Sequence, residues 1–354
     1  MKILKEFFAH SLRILLGALF IFSGYIKLYP IEPFELNFID LGVANWWTAP
    51  VIARAIIGFE MFLGVMLIFD LKTKRFTIPA TFGVLIFFTL YLVYQIITTG
   101  NQGNCGCFGT YLEMTPLESI FKNIGLLSIL IVIQFIPATY DYDFLKKKIL
   151  SIESDQAFIT TDSKWNFLRK KLASLILVLS IIGGISVPYI LNPPDALFYN
   201  HRAGAVNFPL RINDIFKDTS VTKPPVDLEK GRHIVAFMSL SCFHCQMTAL
   251  KIHTIQKRNP DFPFFLILNG DTARYKKKFF EFSKAQNIPH LYYNSGDFFS
   301  YVGGSVPKVY WLQNDTVKYH SLYSDLNENE IRLWLEKGIV PSQGDTLMVG
   351  NDSN

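Results

Sequence analysis

The stretch HIVAFMSLSCFHC, residues 233–245, sets the fold of the second half of this chain. Residues 233–240 are mostly apolar and β-rich, which predicts a buried strand. The run stops at Ser241, a residue type that caps helix N-termini, so we expect a helix to begin with the C-F-H-C segment that follows. A strand that leads directly into two closely spaced cysteines indicates thiol chemistry at the start of a helix.

The segments after residue 245 continue as alternating strands and helices. A second buried strand is predicted at 264–268, and Val306-Pro307 precedes a predicted β-hairpin with its turn at Asn314-Asp315. Two further helices are predicted from apolar residues that share one face: Tyr275, Phe279 and Phe282 in the first, and Ile331, Trp334 and Leu335 in the last. This order of elements makes residues 200–340 resemble a thioredoxin-like α/β fold.

The resemblance implies a role for each residue of the predicted site. Cys242 would be the exposed attacking thiol, Cys245 the resolving thiol, and Pro307 the family's cis-proline facing the pair. His244, between the cysteines, resembles oxidase-type and isomerase-type centres more than the Gly-Pro of reducing thioredoxins. A thiolate at a helix N-terminus is stabilised by backbone N–H groups and the helix dipole, which lowers its pKa from about 8.5 to as low as roughly 3.5. His244 would add positive charge or a donor; the alternative is a solvated helix residue without a role.

Two positions depart from the family pattern. Ser241 stands where a Trp usually precedes the first cysteine, and Ala236 stands where reducing thioredoxins carry an acidic residue. Proton handling in the manner of a reductase is therefore not expected, which favours oxidation or relay.

The chain as a whole is too apolar for an ordinary pair of soluble domains. Half of the 354 residues are hydrophobic and the mean hydropathy is positive. Five stretches are long enough to cross a hydrocarbon core of about 30 Å, and they lie near 8–28, 50–69, 77–98, 116–137 and 172–191. The sequence therefore predicts a membrane four-helix bundle in residues 1–140 and a fifth transmembrane helix before the thioredoxin-like domain.

The distribution of Lys and Arg predicts the orientation in the membrane. Connections 29–49 and 99–115 contain no Lys or Arg, whereas the N-terminus and the other connections are basic. By the positive-inside rule the N-terminus is cytoplasmic, although Lys27, at the outer end of the first span, runs against the pattern. Five crossings then place loop 99–115 and the thioredoxin-like domain on the periplasmic face of a cell (inner) membrane, where disulfides persist. Residues 141–171 are interpreted as a cytoplasmic basic connector and 341–354 as a disordered tail.

A second cysteine pair, Cys105 and Cys107, lies in GNQGNCGCFG, residues 100–109, where four glycines surround a C-x-C. So short a disulfide ring is expected to be strained, and strained, exposed disulfides exchange readily, which predicts a redox site. Two alternatives stay open. The pair could be a structural disulfide, or it could bind zinc together with the C-x-x-C pair, which would block the thioredoxin motif.

Three motifs in the membrane segment carry a second resemblance. IFSGYIKL at 21–28, GFEMFLGVML at 58–67 and CGCFG at 105–109 make residues 1–140 resemble the DoxX-like superfamily and, within it, MauE, the methylamine utilisation membrane protein. MauE-type proteins are implicated in forming disulfides in an exported partner subunit, so the resemblance implies electron transfer from thiols. Methylamine metabolism itself does not follow, because fold and motif do not fix a pathway.

Three ionisable residues inside predicted spans are candidates for cofactor binding. Arg54 and Lys122 are expected in the outer halves of their helices and Glu60 nearer the middle, where the three could form one charge cluster below the cysteine loop. Arg54 or Lys122 would then stabilise a thiolate or polarise a quinone carbonyl, and Glu60 would handle protons. The alternative is ion pairing that only holds the bundle together.

These features together predict a membrane-bound thiol–disulfide oxidoreductase. Electrons would pass from dithiols of exported proteins to the C-x-x-C site, then to the C-x-C pair, and on to a lipid-soluble quinone. No covalently bound cofactor, metal or nucleic-acid partner is expected, since basic segments beside a bilayer explain the formal charge of +5. Two alternatives stay open: the same relay run as a reductase, and a non-catalytic assembly factor for an extracytoplasmic client.

Overall fold

The computed structural model describes residues 2–101, 105–110, 114–135, 155–194, 204–217, 226–324 and 326–341. Two compact units divide the chain, and each is described by itself. The first comprises Met1–Asn37 with Ala44–Pro193, and the second comprises Phe38–Val43 with Pro194–Asn354. The predicted disordered tail beyond residue 341 and the part of the predicted connector at 141–154 lie outside the described residues.

Long apolar helices dominate the chain up to residue 193. In order they are α1 (Lys2–Lys27), the short α2 (Glu32–Asp40), α3 (Thr48–Ile68), α4 (Ile78–Thr99), α5 (Pro116–Phe135) and α6 (Asp155–Leu191), with a strand β1 (Cys107–Thr110) before α5. Within the described residues, five of these helices are long and apolar enough to cross a membrane. The prediction of a helical membrane domain with five spans is therefore confirmed.

The last of these helices begins earlier than its apolar run predicts. α6 starts at Asp155, whereas the apolar run alone places a start near residue 172. Residues 155–171 of the predicted connector are thus helical. They contain no Gly or Pro, so no helix-breaking residue separates Asp155 from the start of the apolar run near residue 172.

Pairs of glycines let α3 approach two other helices closely. A Cβ atom built on Gly17 of α1 would lie 2.7 Å from the carbonyl oxygen of Gly64 in α3. A Cβ atom built on Gly58 of α3 would lie only 1.8 Å from the carbonyl oxygen of Gly184 in α6. Small residues permit such packing in membrane bundles, where van der Waals contact drives helix association. Gly58 and Gly184 therefore bring α6 against α3.

Replacing Gly58 by valine is expected to weaken the packing of α6 on α3. The new side chain would overlap the Gly184 backbone, and overpacking of this kind costs about 1–3 kcal/mol. The expected result is a lower midpoint of thermal unfolding for the purified chain in detergent. Gly83→Val in α4 is the matched control, because a Cβ atom there meets nothing within 4 Å. Equal destabilisation by the two variants would contradict the packing described.

The second unit is a mixed sheet with helices between its strands along the chain. Its elements are β2 (Ala205–Pro209), α7 (Ile212–Phe216), β3 (Arg232–Ser239), α8 (Phe243–Arg258), β4 (Phe264–Asn269), α9 (Thr272–Ser283), β5 (His290–Tyr292), α10 (Phe298–Val302), β6 (Lys308–Gln313), β7 (Thr316–Ser321) and α11 (Glu328–Lys337). The six strands lie in the order β2-β7-β6-β3-β4-β5. β3, β4 and β5 run parallel, and β6 is antiparallel to β3 and β7.

This arrangement is the thioredoxin-like fold that the sequence predicts. The cysteine-bearing helix α8 follows the central strand β3, and the β6–β7 hairpin precedes the closing helix α11. Asn314 and Asp315 form the hairpin turn with φ angles of 49° and 58°, the left-handed conformation that a tight two-residue turn requires. Trp311 of β6 and Trp334 of α11 are fully buried with ring centroids 5.3 Å apart, which fixes the last helix on the sheet.

Candidate functional site

Cys242 caps the helix that carries the C-x-x-C motif. α8 begins at Phe243, and the sulfur of Cys242 accepts a hydrogen bond from the backbone N–H of Cys245 at 3.4 Å. The prediction that Ser241 is the cap is therefore wrong. The hydroxyl of Ser241 lies 3.3 Å from the Ser239 hydroxyl instead, because the helix starts one residue later and a sulfur fills the capping position.

The two cysteines of this motif differ in exposure and acidity. Cys242 is partly exposed, whereas Cys245 is fully buried and accepts a hydrogen bond from the N–H of Ser239 at 3.3 Å. The Cys245 thiol donates to the Cys242 sulfur, and this bond, together with backbone N–H groups of Cys245 and His244, lowers the pKa of Cys242 to about 6 against the opposing effect of burial. The same thiol–sulfur bond and burial raise the pKa of Cys245.

This asymmetry matches the chemistry of a disulfide-exchange centre. With a pKa of about 6, the partly exposed Cys242 is mostly thiolate at neutral pH, which is the nucleophilic form, and the buried Cys245 holds the proton that stabilises it. The geometry thus supports the predicted order in which Cys242 attacks and Cys245 resolves.

Aromatic side chains stand beside the exposed sulfur. His244 is exposed, and its charge is the smallest of the causes that lower the Cys242 pKa. Phe243, which sequence reasoning left without a role, is 38% exposed and packs edge-on against Phe282 of α9, with ring centroids 5.8 Å apart. Phe243 therefore presents an exposed apolar surface directly after Cys242 in the chain. The sequence feature that could have identified Phe243 is its position directly after the first cysteine of the motif.

The Val306–Pro307 peptide bond is cis, as the family resemblance implies. Lys308, the residue after Pro307, pairs with Phe237 of β3. Phe237 lies two residues before the end of β3 at Ser239. Because Cys242 follows the same end of β3, Pro307 lies at the edge of the sheet that carries the cysteine pair. This placement is consistent with the expectation that Pro307 faces the cysteine pair.

Alkylation of Cys242 is expected to follow the ionisation of an acidic thiol. With a pKa of about 6, the thiolate is fully present above pH 7, and the rate of reaction with iodoacetamide falls about tenfold per pH unit well below the pKa. An ordinary thiol, with a pKa near 8.5, would keep gaining reactivity up to about pH 9. Cys245→Ala should shift the midpoint upward, because it removes the main cause of the lowered pKa, whereas Ser241→Ala should leave it in place. A midpoint at pH 8 or above in the unaltered chain would contradict this account.

The C-x-C loop holds Cys105 in a buried position. Only 2% of Cys105 is exposed, and it packs against Leu92. Its sulfur lies 2.9 Å from the hydroxyl of Ser119 in α5, and its backbone N–H donates to the carbonyl of Met114 at 2.9 Å. The prediction of an exposed pair is therefore wrong for Cys105, since α5 and the chain before it cover this sulfur. Cys107 opens β1, and its side chain lies outside the described residues.

Two glycines of the loop are required by its path along α1. Gly106 and Gly109 have φ angles of +72° and +59°, a region that other residues rarely adopt. A Cβ atom on Gly109 would also lie 2.6 Å from the carbonyl oxygen of Ile26 in α1. Gly109 therefore lets the cysteine loop lie against α1, and Gly106, whose Cβ atom would lie 2.9 Å from Nδ2 of Asn37, lets it lie against α2.

The predicted charge cluster of Arg54, Glu60 and Lys122 does not form with all three members, because Arg54 has other partners. Arg54 is ion-paired with Glu35 of α2 and donates to the carbonyl oxygens of Asn192 and Pro50 at 2.6 and 2.8 Å. Glu60 is instead ion-paired with Lys27 of α1 at 2.6 Å. The prediction failed because spacing along α3 does not determine the partners that neighbouring helices present. Lys27, which runs against the positive-inside pattern, was the signal for this buried pair.

Lys122 lies close to the cysteine loop. Its ammonium group sits over the ring of Phe108, 4.3 Å from the centroid, and Phe108 directly follows Cys107. Lys122, Phe108, Lys27 and Glu60 line one small cavity of about 30 Å³. That volume holds a single water, whereas a cavity that takes benzene needs about 150 Å³. This cavity is therefore smaller than a quinone ring.

Zinc binding is one of the alternatives for the two cysteine pairs. In the part of the chain that the structure describes, no group of three or more His, Cys, Asp or Glu side chains is placed to hold a metal ion.

Known proteins resemble both parts of the chain. Residues 5–136 match the family model of the methylamine utilisation protein MauE. The membrane unit carries a MauE domain. Protein TlpB of Flavobacterium psychrophilum is 26% identical over 369 residues, a span that covers 93% of this chain and 95% of the relative. The similarity to TlpB thus extends beyond the MauE domain into the thioredoxin-like unit. With a MauE domain and five apolar helices in the described residues, the chain is a multi-pass membrane protein.

A solved structure was also found for part of the chain. It is a secreted disulfide oxidoreductase of Mycobacterium tuberculosis, which aligns with 30% of this chain and 83% of its own at 14% identity and a TM-score of 0.26.

Proposed function

We propose that this protein is a membrane-anchored thiol–disulfide oxidoreductase that relays electrons between its C-x-x-C and C-x-C pairs. The observation that carries the proposal is the contrast between Cys242, which is accessible and acidic, and Cys245, which is buried and protonated. Disulfide exchange needs this contrast, because a thiolate attacks and a second thiol resolves. The MauE domain and the relative that spans both units are consistent with one redox protein.

The first step oxidises a dithiol of an exported protein. A substrate thiolate attacks the Cys242 sulfur of the Cys242–Cys245 disulfide, and Cys245 leaves and takes up a proton. The second substrate thiol then attacks the mixed disulfide, so the substrate gains a disulfide and Cys242 leaves as a thiolate. Two electrons have moved to the protein. A low pKa of Cys242 favours this direction, because stabilising the reduced form makes the disulfide a stronger oxidant.

The second step passes the two electrons to the loop pair. The Cys242 thiolate attacks Cys107 of a Cys105–Cys107 disulfide, and Cys105 is the leaving sulfur. We assign the attacked position to Cys107 because Cys105 is buried, and the hydroxyl of Ser119, 2.9 Å from the Cys105 sulfur, is placed to donate to the leaving thiolate. Cys245 then attacks Cys242, which restores the first disulfide and leaves a dithiol at Cys105 and Cys107.

Turnover needs an acceptor for the two electrons and two protons. We propose a lipid-soluble quinone as the chemical class of that acceptor. The cavity at Glu60 and Lys122 is too small for its ring, so no step is assigned to those residues. The relay also needs both cysteine pairs on the periplasmic face, which is the orientation that the distribution of Lys and Arg favours.

A trapped intermediate tests the relay. In full-length Cys245→Ser protein the attack of Cys242 on the loop disulfide cannot be resolved forward, so a Cys242–Cys107 mixed disulfide is expected to accumulate. It is measured in membranes by acid quenching, alkylation and mass spectrometry of cross-linked peptides, with no client protein added. Absence of any adduct under oxidising conditions would favour a non-catalytic assembly role.

Matched double variants identify the sulfur that is attacked. Under a mild oxidant, Cys245→Ser combined with Cys105→Ser should form the Cys242–Cys107 adduct in high yield, because no neighbouring thiol reverses it. The same background with Cys107→Ser should form little adduct, since the remaining Cys105 is buried. The opposite pattern would make Cys105 the point of entry and overturn this assignment.

A further inference from the structure

We infer that a cavity at the N-terminal end of α1 binds the phosphate group of an anionic lipid headgroup. The cavity has a volume of about 350 Å³ and lies at the opposite end of α1 from the cysteine loop, which contacts Ile26. Residues from α1, from residues 72–75 between α3 and α4 (the basic turn, which enters the short π-helix Thr73–Thr77), and from the nearby ends of α4 and α5 line it, among them Arg13, Lys72, Lys74, Arg75, Ile78 and Ile133. This site is separate from the redox chemistry proposed above.

Arg13 gives the cavity a buried cationic donor. Only 5% of Arg13 is exposed, and its Nη1 atom lies 2.6 Å from a carboxylate oxygen of Asp70. Its Nε atom is buried without a hydrogen-bond partner among the described residues. A guanidinium N–H that is removed from water without an acceptor is costly, so an oxygen-rich anion in the cavity would supply the missing acceptor.

The charges around the cavity also favour an anion. Asp70 is the carboxylate among the lining residues, and it accepts a hydrogen bond from the Thr73 hydroxyl at 2.5 Å in addition to its ion pair with Arg13. Lys72, Lys74 and Arg75 are exposed around the opening. The cavity is thus lined by four cationic side chains and one carboxylate, so its net charge is positive and favours a phosphate group.

The surroundings indicate a lipid as the source of that phosphate. Ile78 and Ile133 line the cavity, and the exposed side chains of Phe69 and Phe76 flank the basic turn in the sequence. Apolar surface beside a cationic cavity suits a headgroup with acyl chains attached. The basic turn belongs to the end of the bundle that the positive-inside rule predicts to be cytoplasmic, and basic pockets between helices on that side bind anionic headgroups.

Lipid titration of the purified full-length chain in neutral detergent tests the inference. Dioleoylphosphatidylglycerol is expected to bind with an apparent Kd at least about tenfold lower than dioleoylphosphatidylcholine, as measured by native mass spectrometry. Each lost cation should weaken binding of the anionic lipid roughly fivefold. Lys72→Gln with Lys74→Gln should therefore remove most of the preference. Because both side chains are exposed, this variant should fold normally.

Two controls separate a built site from general surface charge. Lys171→Gln removes an exposed cation on α6 that does not line the cavity, and it should keep the preference. Arg13→Lys keeps the charge but loses the planar fork, so it should bind the anionic lipid more weakly than the unaltered chain. Equal binding of the two lipids, or an equal loss in Lys171→Gln, would overturn the site. Displacement of the lipid by millimolar inorganic phosphate would overturn the lipid as the source of the phosphate group.

Discussion

Replacing Cys242 by serine is expected to lower the rate of thiol–disulfide exchange by on the order of 10³-fold or more, because a serine hydroxyl at neutral pH is neither ionised nor able to form the mixed disulfide. The measurement is the rate at which the oxidised full-length protein forms a disulfide in a reduced dithiol peptide. Cys242 is partly exposed, so the substitution leaves the buried packing of the thioredoxin-like unit in place.

Ser241→Ala is the matched control for Cys242→Ser. The two positions are adjacent, and Ser241 does not cap α8, because its hydroxyl is bonded to that of Ser239 instead. Ser241→Ala should therefore keep nearly the full rate. If Cys242→Ser kept more than about a tenth of the rate, another residue would have to be the nucleophile, and the assignment of roles would be wrong.

Replacing Lys27 by methionine is expected to destabilise the membrane unit by about 3–5 kcal/mol, because it leaves the carboxylate of Glu60 buried without its counter-charge. Both side chains are buried, with 2% and 5% exposed, and the ammonium group contacts both carboxylate oxygens. The pair joins α1 and α3, so its loss removes one of the interactions between these two helices, which also meet at Gly17 and Gly64. The measurement is reversible unfolding of the purified chain in mixed micelles.

The double variant Lys27→Met with Glu60→Leu distinguishes the two interpretations of Glu60. Removing both charges should restore most of the lost stability, because two apolar side chains replace an ion pair at little cost. If Glu60 only holds the bundle, the double variant should also relay electrons to the loop pair at nearly the original rate. If Glu60 moves protons during that step, the double variant should be stable and slow. A single Lys27→Met variant with unchanged stability would contradict the buried pair.

The periodicity of apolar residues was sufficient to predict the elements of both units. The five spans were predictable because about 20 consecutive apolar residues have few other structures available to them. The thioredoxin-like sheet was predictable because its strands at 233–240 and 264–268 are buried on both faces and are therefore apolar throughout. In the same way, Asn314-Asp315 marks its hairpin turn by residue type.

The partners of buried charges were not predictable from one sequence. Arg54 and Glu60 lie on α3 and Lys122 lies on α5, and helix rotation decides which neighbours each one meets. The pairing of Glu60 with Lys27 and of Arg54 with Glu35 depends on close helix packing, which spacing along a single helix does not reveal. The burial of Cys105 beside Ser119 has the same origin. The glycine-rich sequence of the loop indicates a flexible, exposed segment, and it does not reveal that α5 packs against it.

The relay requires that Cys242 and the C-x-C loop face the same compartment outside the cytoplasm. The most direct test uses the full-length protein with Cys105→Ser, Cys107→Ser and Cys245→Ser, in which Cys242 is the remaining cysteine. Cells with an intact cytoplasmic membrane are treated with a membrane-impermeant maleimide, and labelling of Cys242 is measured. The account predicts that Cys242 reacts fully before the cytoplasmic membrane is broken. Labelling that appears only after that membrane is disrupted would place the site in the cytoplasm and contradict the relay.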